Sequence, residues 1–141
     1  MGRIMALDVG EVTLGVAISD LLGLTAQPTT TIRRRNLKAD FAAITDLVSR
    51  HEVDLLVVGL PLKLSGEEGP AAESVRSFAG KLIVAAGIPV VTWDERLTTV
   101  QAERSLLEGD VSRKKRREVI NQVAAAIILQ SYLDSHRCAE A

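Results

Sequence analysis

Aromatic side chains are scarce in this chain of 141 residues: one Trp, one Tyr and two Phe. Binding single-stranded bases by stacking needs a platform of rings, so extensive stacking is excluded, and any recognition of nucleic acid must lean on backbone charge and shape. Cysteine is scarcer still. The lone Cys138 excludes an intramolecular disulfide and a cysteine metal cluster, and in its polar C-terminal setting it reads as an incidental thiol. His51, at a helix end, and His136, in the C-terminal tail, both read as solvent-facing. No apolar run approaches the ~20 residues of a membrane span. The start also lacks the basic segment, apolar core and cleavage site of a secretory signal, so a cytoplasmic location is expected.

What is present fits a soluble globular protein, with 47% hydrophobic and 25% charged residues. The length suits a single domain over residues 1–141, able to bury about 70% of its unfolded surface. Net charge is −1, yet the basic residues are clumped as Arg33-Arg34-Arg35 with Lys38, and as Arg113-Lys114-Lys115-Arg116-Arg117. Such a run is either an electrostatic footprint for polyanions or a solvated charged loop.

Residues 3–8, 14–20 and 27–32 read as three short strands in succession, which makes them antiparallel neighbours. From residue 39 to 50 the apolar residues Phe41, Ile44, Leu47 and Val48 recur at helical spacing, and residues 54–59 form an apolar run typical of a strand buried on both faces. A helix leading into a buried strand implies a parallel crossover. Residues 60–69 read as a loop, and a helix should run from Pro70, a good first-turn residue, to residue 86, where Gly87 stops it. A fifth strand over residues 90–93, a helix from about residue 99 to 107 ending at Gly109, a basic loop, and a last helix from about residue 118 to 135 complete the order. The expected fold is an α/β three-layer arrangement with a mixed sheet, and ligand chemistry belongs at the carboxyl ends of its parallel strands.

Two acidic spots stand at such ends. Asp8 closes the first apolar run and is followed by Val9-Gly10, while Asp94-Glu95-Arg96 closes the run ending at Trp93. The order of elements places these two strands side by side, and acids at both tips suggest a shared divalent cation, because hard cations prefer hard oxygen ligands. The alternative for Asp8 is a side chain that caps its own turn.

The chain resembles the YqgF-type family, which is similar to Holliday-junction resolvases and is described as pre-16S ribosomal RNA nucleases with a ribonuclease H-like fold. The resemblance covers nearly the whole sequence. It rests on Ala6-Leu7-Asp8-Val9-Gly10 with Gly15-Val16-Ala17-Ile18-Ser19-Asp20, on Val57-Val58-Gly59-Leu60-Pro61, on Asp94-Glu95-Arg96-Leu97-Thr98-Thr99, and on residues 124–133. The Asp-Glu-Arg-Leu-Thr-Thr segment is specific, whereas Asp-x-Gly also occurs in actin-like sugar kinases. A sugar-kinase-like phosphotransferase needs a second lobe, and the length argues against it.

The resemblance implies a ribonuclease H-like three-layer fold with a five-stranded mixed sheet flanked by helices, and a nuclease that uses Mg²⁺ or Mn²⁺. It also implies three metal-binding acids. The first maps onto Asp8 and the second onto Glu95. The third maps onto Asn121, so the chain departs from the pattern at an expected ligand, and Glu118, one turn earlier, is the candidate substitute. An amide oxygen can still coordinate a cation, but it adds no negative charge and cannot act as a base. Implied substrates are structured RNA, foremost a 16S ribosomal RNA precursor, or branched DNA. A ribosome-assembly factor that binds without efficient catalysis is the competing reading, motivated by Asn121.

Within the acidic segment, successive side chains of an extended stretch face opposite sides, so one acid should enter the site. Glu95 is the choice. Asp94 is left to orient Arg96 or to cap a helix that begins near Thr98 and Thr99; Thr98 and Thr99 are themselves either caps or phosphate contacts, and Arg96 is either a phosphate contact or an ion-pair partner. On the last helix Glu118, Asn121, Ala125, Ile128 and Tyr132 share one stripe, which turns Asn121 inward. The run Arg113, Lys114, Lys115, Arg116 and Arg117 precedes that helix and is the better placed of the two for phosphate-backbone binding, with affinity expected to fall as salt rises.

Overall fold

The structure is a computed structural model that describes residues 2–100 and 113–137, the side chains of residues 113–118 and 137 excepted. Three strands come first, β1 (Arg3–Val9), β2 (Thr13–Ser19) and β3 (Ala26–Arg33). Helix α1 (Leu37–Arg50), strand β4 (Val53–Leu60), helix α2 (Pro70–Ala86) and strand β5 (Val90–Asp94) follow. A 3₁₀ turn (Glu95–Leu97) succeeds β5, and α3 (Arg113–Arg137) is the last described helix. Each expected strand is present, with ends that differ by a residue or two. Helix α2 runs from Pro70 to Gly87 as the two residue types dictate: Gly87 takes a left-handed φ of 70° and donates its amide to the Ile83 carbonyl. That conformation costs glycine little.

The sheet has the order β3-β2-β1-β4-β5. The β1–β2 and β2–β3 pairs are antiparallel, and β1–β4 and β4–β5 are parallel. Strand alternation therefore sends Met5, Leu7, Leu14, Val16, Leu56 and Val58 to one face, where they meet Ile44 and Leu47 of α1 and Val75, Phe78 and Leu82 of α2. Ala6, Ala17 and Val57 face the other way and meet Ala124, Ala125, Ile128 and Leu129 of α3. Two cores result, one on each side of the sheet. Small residues on the second face let α3 lie close, and each large aliphatic side chain it buries there contributes about 1.5–3 kcal/mol.

Three sequence expectations are corrected. The basic residues 113–117 are the opening of α3 and not a loop. Neither Gly nor Pro interrupts the sequence from residue 113 to 137, and Lys and Arg are good helix formers, so nothing stops the helix before them. Strands β1 and β5 are not neighbours, because β4 lies between them. His136 is not in a tail: it lies in α3 and stacks on Tyr132, one helical turn away, with ring centroids 3.9 Å apart. The helix expected from about residue 99 to 107 lies outside the described residues beyond Val100. Among the described residues no helix is long and apolar enough to cross a membrane.

Candidate active site

Asp8 is the sixth residue of β1, so alternation places it on the α3 face, the same side as Ala6. It is only 5% exposed. Directly across the sheet it pairs with Gly15 of β2. On its other side, one step beyond the Leu7–Val58 pair, stands Gly59 of β4. A carboxylate thus lies between two glycines of the flanking strands.

Glu95 approaches Asp8 from two strands away. Trp93 faces α3, where its Nε1 donates to Ser131 Oγ at 2.9 Å and its ring meets Tyr132 edge-on at 5.5 Å. With β5 pinned to α3 in this way, Glu95 opens the 3₁₀ turn on the same side and is 7% exposed. Its Cγ passes 3.3 Å from where a β-carbon on Gly59 would stand, so the side chain runs across β4 towards β1. The missing side chain at Gly59 is its path.

Asn121 completes the convergence. The α3 backbone comes so close to β2 that a β-carbon on Gly15 would lie 1.9 Å from the Asn121 carbonyl oxygen. Its side-chain Nδ2 donates to Thr13 Oγ1, which anchors the amide at the same edge as Asp8. Ala125 and Ile128, further along the stripe, are fully buried. Asp8 at the end of β1 and Glu95 just after β5 thus lie on the sheet face that α3 covers, and Asn121 of α3 packs over β2 beside them. The backbone of Glu118 lies in the second turn of α3, and its side chain is outside the described residues.

The neighbours of Glu95 are committed to holding its turn. Asp94 Oδ1 accepts from the Arg96 amide at 2.9 Å, and Asp94 Oδ2 takes the Arg96 guanidinium at 2.7 Å. The Arg96 side-chain hydrogen bonds hold the Asp94 carboxyl below its usual range against the opposing effect of burial. Arg96 Nη1 also reaches the Leu64 carbonyl at 3.4 Å, and its guanidinium lies against Gly66, whose φ is 91°. The ion-pair alternative for Arg96 is the one these contacts make. Thr98 Oγ1 donates to the Glu95 carbonyl at 2.6 Å and accepts from the Val100 amide at 3.2 Å, which is the work of a cap.

Sequence reasoning passed over Arg34. Its Nη1 donates to the Gly10 carbonyl at 2.8 Å and its Nε pairs with the buried Asp40 at 3.4 Å, while the guanidinium lies 5.4 Å from the Phe78 ring centre. It braces the turn that follows Asp8. The signal available beforehand was slight: an acid six residues on, at the start of an amphipathic helix.

The donor set fits a hard divalent cation. Asp8 and Glu95 are both buried carboxylates, and the cradle between them would be narrowed by any side chain at Gly59. Among the described residues no group of three His, Cys, Asp or Glu side chains is placed to hold a metal ion.

Comparison with known proteins adds the ancestry. The family described as RuvX, Holliday junction resolvase, matches residues 2–135. A protein of Moorella thermoacetica (strain ATCC 39073 / JCM 9320) is 62% identical over 132 residues, covering 94% of both chains. One from Myxococcus xanthus (strain DK1622) is 59% identical over 135 residues, covering 96% of this chain and 89% of the relative. Both carry the name of a proposed pre-16S rRNA nuclease. Among solved structures, T. thermophilus RuvC in complex with a Holliday junction substrate shares the ribonuclease H-like fold, with a TM-score of 0.62 at 16% identity over 97% of this chain and 96% of that one.

Proposed function

We propose that this chain, which belongs to the RuvX (YqgF) family of Holliday junction resolvases, is a divalent-cation-dependent nuclease whose substrate is the 16S ribosomal RNA precursor at its 5′ end. The family is one of nucleases, hydrolases of phosphodiester bonds. The observation that supports the proposal is the placement of two buried carboxylates, Asp8 and Glu95, on the same α3-facing side of the sheet.

In this reading Asp8 and Glu95 hold Mg²⁺ or Mn²⁺, with the Asn121 amide, or Glu118, as the third contributor. The cation supplies positive charge at the scissile phosphate when bound. Rigidity comes from the chain itself: Asp8 sits in a paired strand braced by Arg34, and Glu95 sits in a turn clasped by Asp94 and Arg96. Gly15 lets the α3 backbone lie close beside Asp8, and Gly59 lets the Glu95 side chain cross β4. Asn121 brings no negative charge and no base, so the site is weaker than one with three acids.

Binding in this reading rests on the phosphate backbone, through Arg113, Lys114, Lys115, Arg116 and Arg117 at the start of α3, one turn before Asn121. The sheet is short of exposed rings, which favours structured RNA, read by charge and shape, over a stacked single strand. Asn121 also supports a second reading, a ribosome-assembly factor that binds the same RNA in ribosomal particles and cleaves it poorly. Branched DNA is the alternative substrate.

Incubation of the wild type and Asp8→Asn with a ribosomal RNA precursor and, separately, a four-way DNA junction, each with Mg²⁺, Mn²⁺ or chelator, separates these readings. Cation-dependent cleavage of the RNA, lost in Asp8→Asn, is the expected result. Cleavage of the junction alone makes the protein a resolvase, and RNA binding without cleavage in any metal favours the assembly factor.

A further inference from the structure

We infer that Arg33 and Arg35 form a second phosphate-contacting rim beside the candidate site, so that the RNA runs from Asp8 across β2 to the end of β3. The inference rests on the proposed nucleic-acid substrate and adds a binding surface to it.

The argument begins with the division of labour in Arg33-Arg34-Arg35. Arg34 is turned inward and used up on the Gly10 carbonyl, Asp40 and the Phe78 ring. Alternation about it leaves Arg33 and Arg35 exposed on either side. Among the described residues neither makes an ion pair. These two cations are thus available to an outside anion.

Their position comes from the sheet register. Asp8 pairs with Gly15, Gly15 with Thr31, and Thr13 with Arg33, so the exit of β3 lies at the same edge as the exit of β1. Two strand spacings and two residues along β3 put the Arg33 backbone roughly 12 Å from that of Asp8. Thr13, the partner of Arg33, is also the residue that receives the Asn121 amide.

Rigidity distinguishes this rim from a solvated loop. The Arg34 amide donates to the Val12 carbonyl at 2.9 Å, and the Arg35 amide donates to Asp40 Oδ1 at 3.0 Å. The segment is thereby strapped to the turn that follows Asp8. Cations on a fixed backbone lose less conformational entropy on contact than cations on a free chain. Glu11, exposed at the tip of the turn, opposes them, and Lys38, exposed in the first turn of α1, offsets it.

The test is RNA binding across a salt series by R33S/R35S, by the charge-keeping R33K/R35K, and by R50S/K81S, which removes the same charge from the last turn of α1 and from α2. The probe is a hairpin from the 5′ end of a 16S ribosomal RNA precursor, followed by anisotropy, with circular dichroism of each variant. Losing two phosphate contacts should lower the slope of log affinity against log salt by about 1.8, so that the wild-type advantage shrinks about 12-fold between 50 and 200 mM salt. R33K/R35K should keep most of the slope, and R50S/K81S nearly all of it. An unchanged slope in R33S/R35S overturns the rim, as does an equal loss in R50S/K81S. The nuclease reading fails separately: a wild type that binds with this Arg33- and Arg35-dependent slope but cleaves no RNA keeps the rim and loses the nuclease. A wild type that does not bind the hairpin rejects the rim together with the RNA substrate.

Discussion

Gly59 gives Glu95 its passage across β4: a β-carbon there would stand 3.3 Å from Glu95 Cγ and 2.5 Å from Ile128 Cδ1. One absent methyl group thus joins the α3 core to the placement of an acid. Gly59→Ala should cost about 1–3 kcal/mol through overpacking against the fully buried Ile128, and it should weaken Mn²⁺ binding by displacing Glu95. Denaturant unfolding and Mn²⁺ calorimetry measure the two effects. Wild-type values in both would show that the passage has slack.

Gly15 is the harder constraint, because what it faces is backbone. A β-carbon would lie 1.9 Å from the Asn121 carbonyl oxygen and 2.3 Å from its carbon. No rotamer change relieves such a clash, so α3 must lift from β2. Gly15→Ala should therefore destabilise by about 3 kcal/mol or more, at the upper end of overpacking costs. Near-native stability in the same unfolding assay would mean that α3 shifts at little cost.

Asn121→Asp should strengthen the cation site. Thr13 Oγ1 accepts from the amide in the wild type, and the same hydroxyl can turn to donate to a carboxylate. One added charge at about 4 Å from a divalent cation is worth about 8 kcal/mol at an effective dielectric of 20, before desolvation is subtracted. Mn²⁺ affinity should rise by about tenfold or more, with faster cleavage. If the substitution changes nothing while Glu118→Gln abolishes cleavage, Glu118 is the third ligand.

The strands, the two acids and the inward stripe of α3 were legible because each rests on local pattern. Apolar, β-branched runs mark β1 and β2, and a Pro-to-Gly span bounds α2, whereas the choice of Glu95 over Asp94 assumed an extended chain where Glu95 in fact opens a 3₁₀ turn. What was not legible depends on tertiary contact. Nothing in the apolar run of β4 shows that it would lie between β1 and β5, and nothing local marks Gly59 as a path. The basic residues 113–117 looked like a loop because charge was weighed above helix propensity. Arg34 was taken with its neighbours as one clump, because its inward turn is set by Gly10 and Asp40, far apart in sequence.

Acid should loosen the β2–β3 connection through Asp20. Its Oδ1 accepts from the Leu24 amide at 2.8 Å and its Oδ2 from the Thr25 hydroxyl at 3.0 Å. The Leu24 bond is the main reason that its carboxyl is held below the usual range. A lowered folded value means that the stabilisation is fully present above the unfolded value of about 3.9 and is lost as pH falls through the folded one. The Leu24 amide resonance should shift and exchange faster in that acid window, and Asp20→Asn should flatten the response. Equal acid sensitivity in Asp20→Asn would assign it to another group.

The most direct measurement is single-turnover cleavage of a ribosomal RNA precursor across a Mn²⁺ titration, with the wild type, Asp8→Asn and Glu95→Gln side by side. If these acids together hold the cation, each substitution should lower the rate by more than the ~10- to 100-fold that losing an outer-shell partner costs, and each should move half-saturation to higher Mn²⁺. Cleavage that persists in either variant at the wild-type Mn²⁺ dependence would contradict the account.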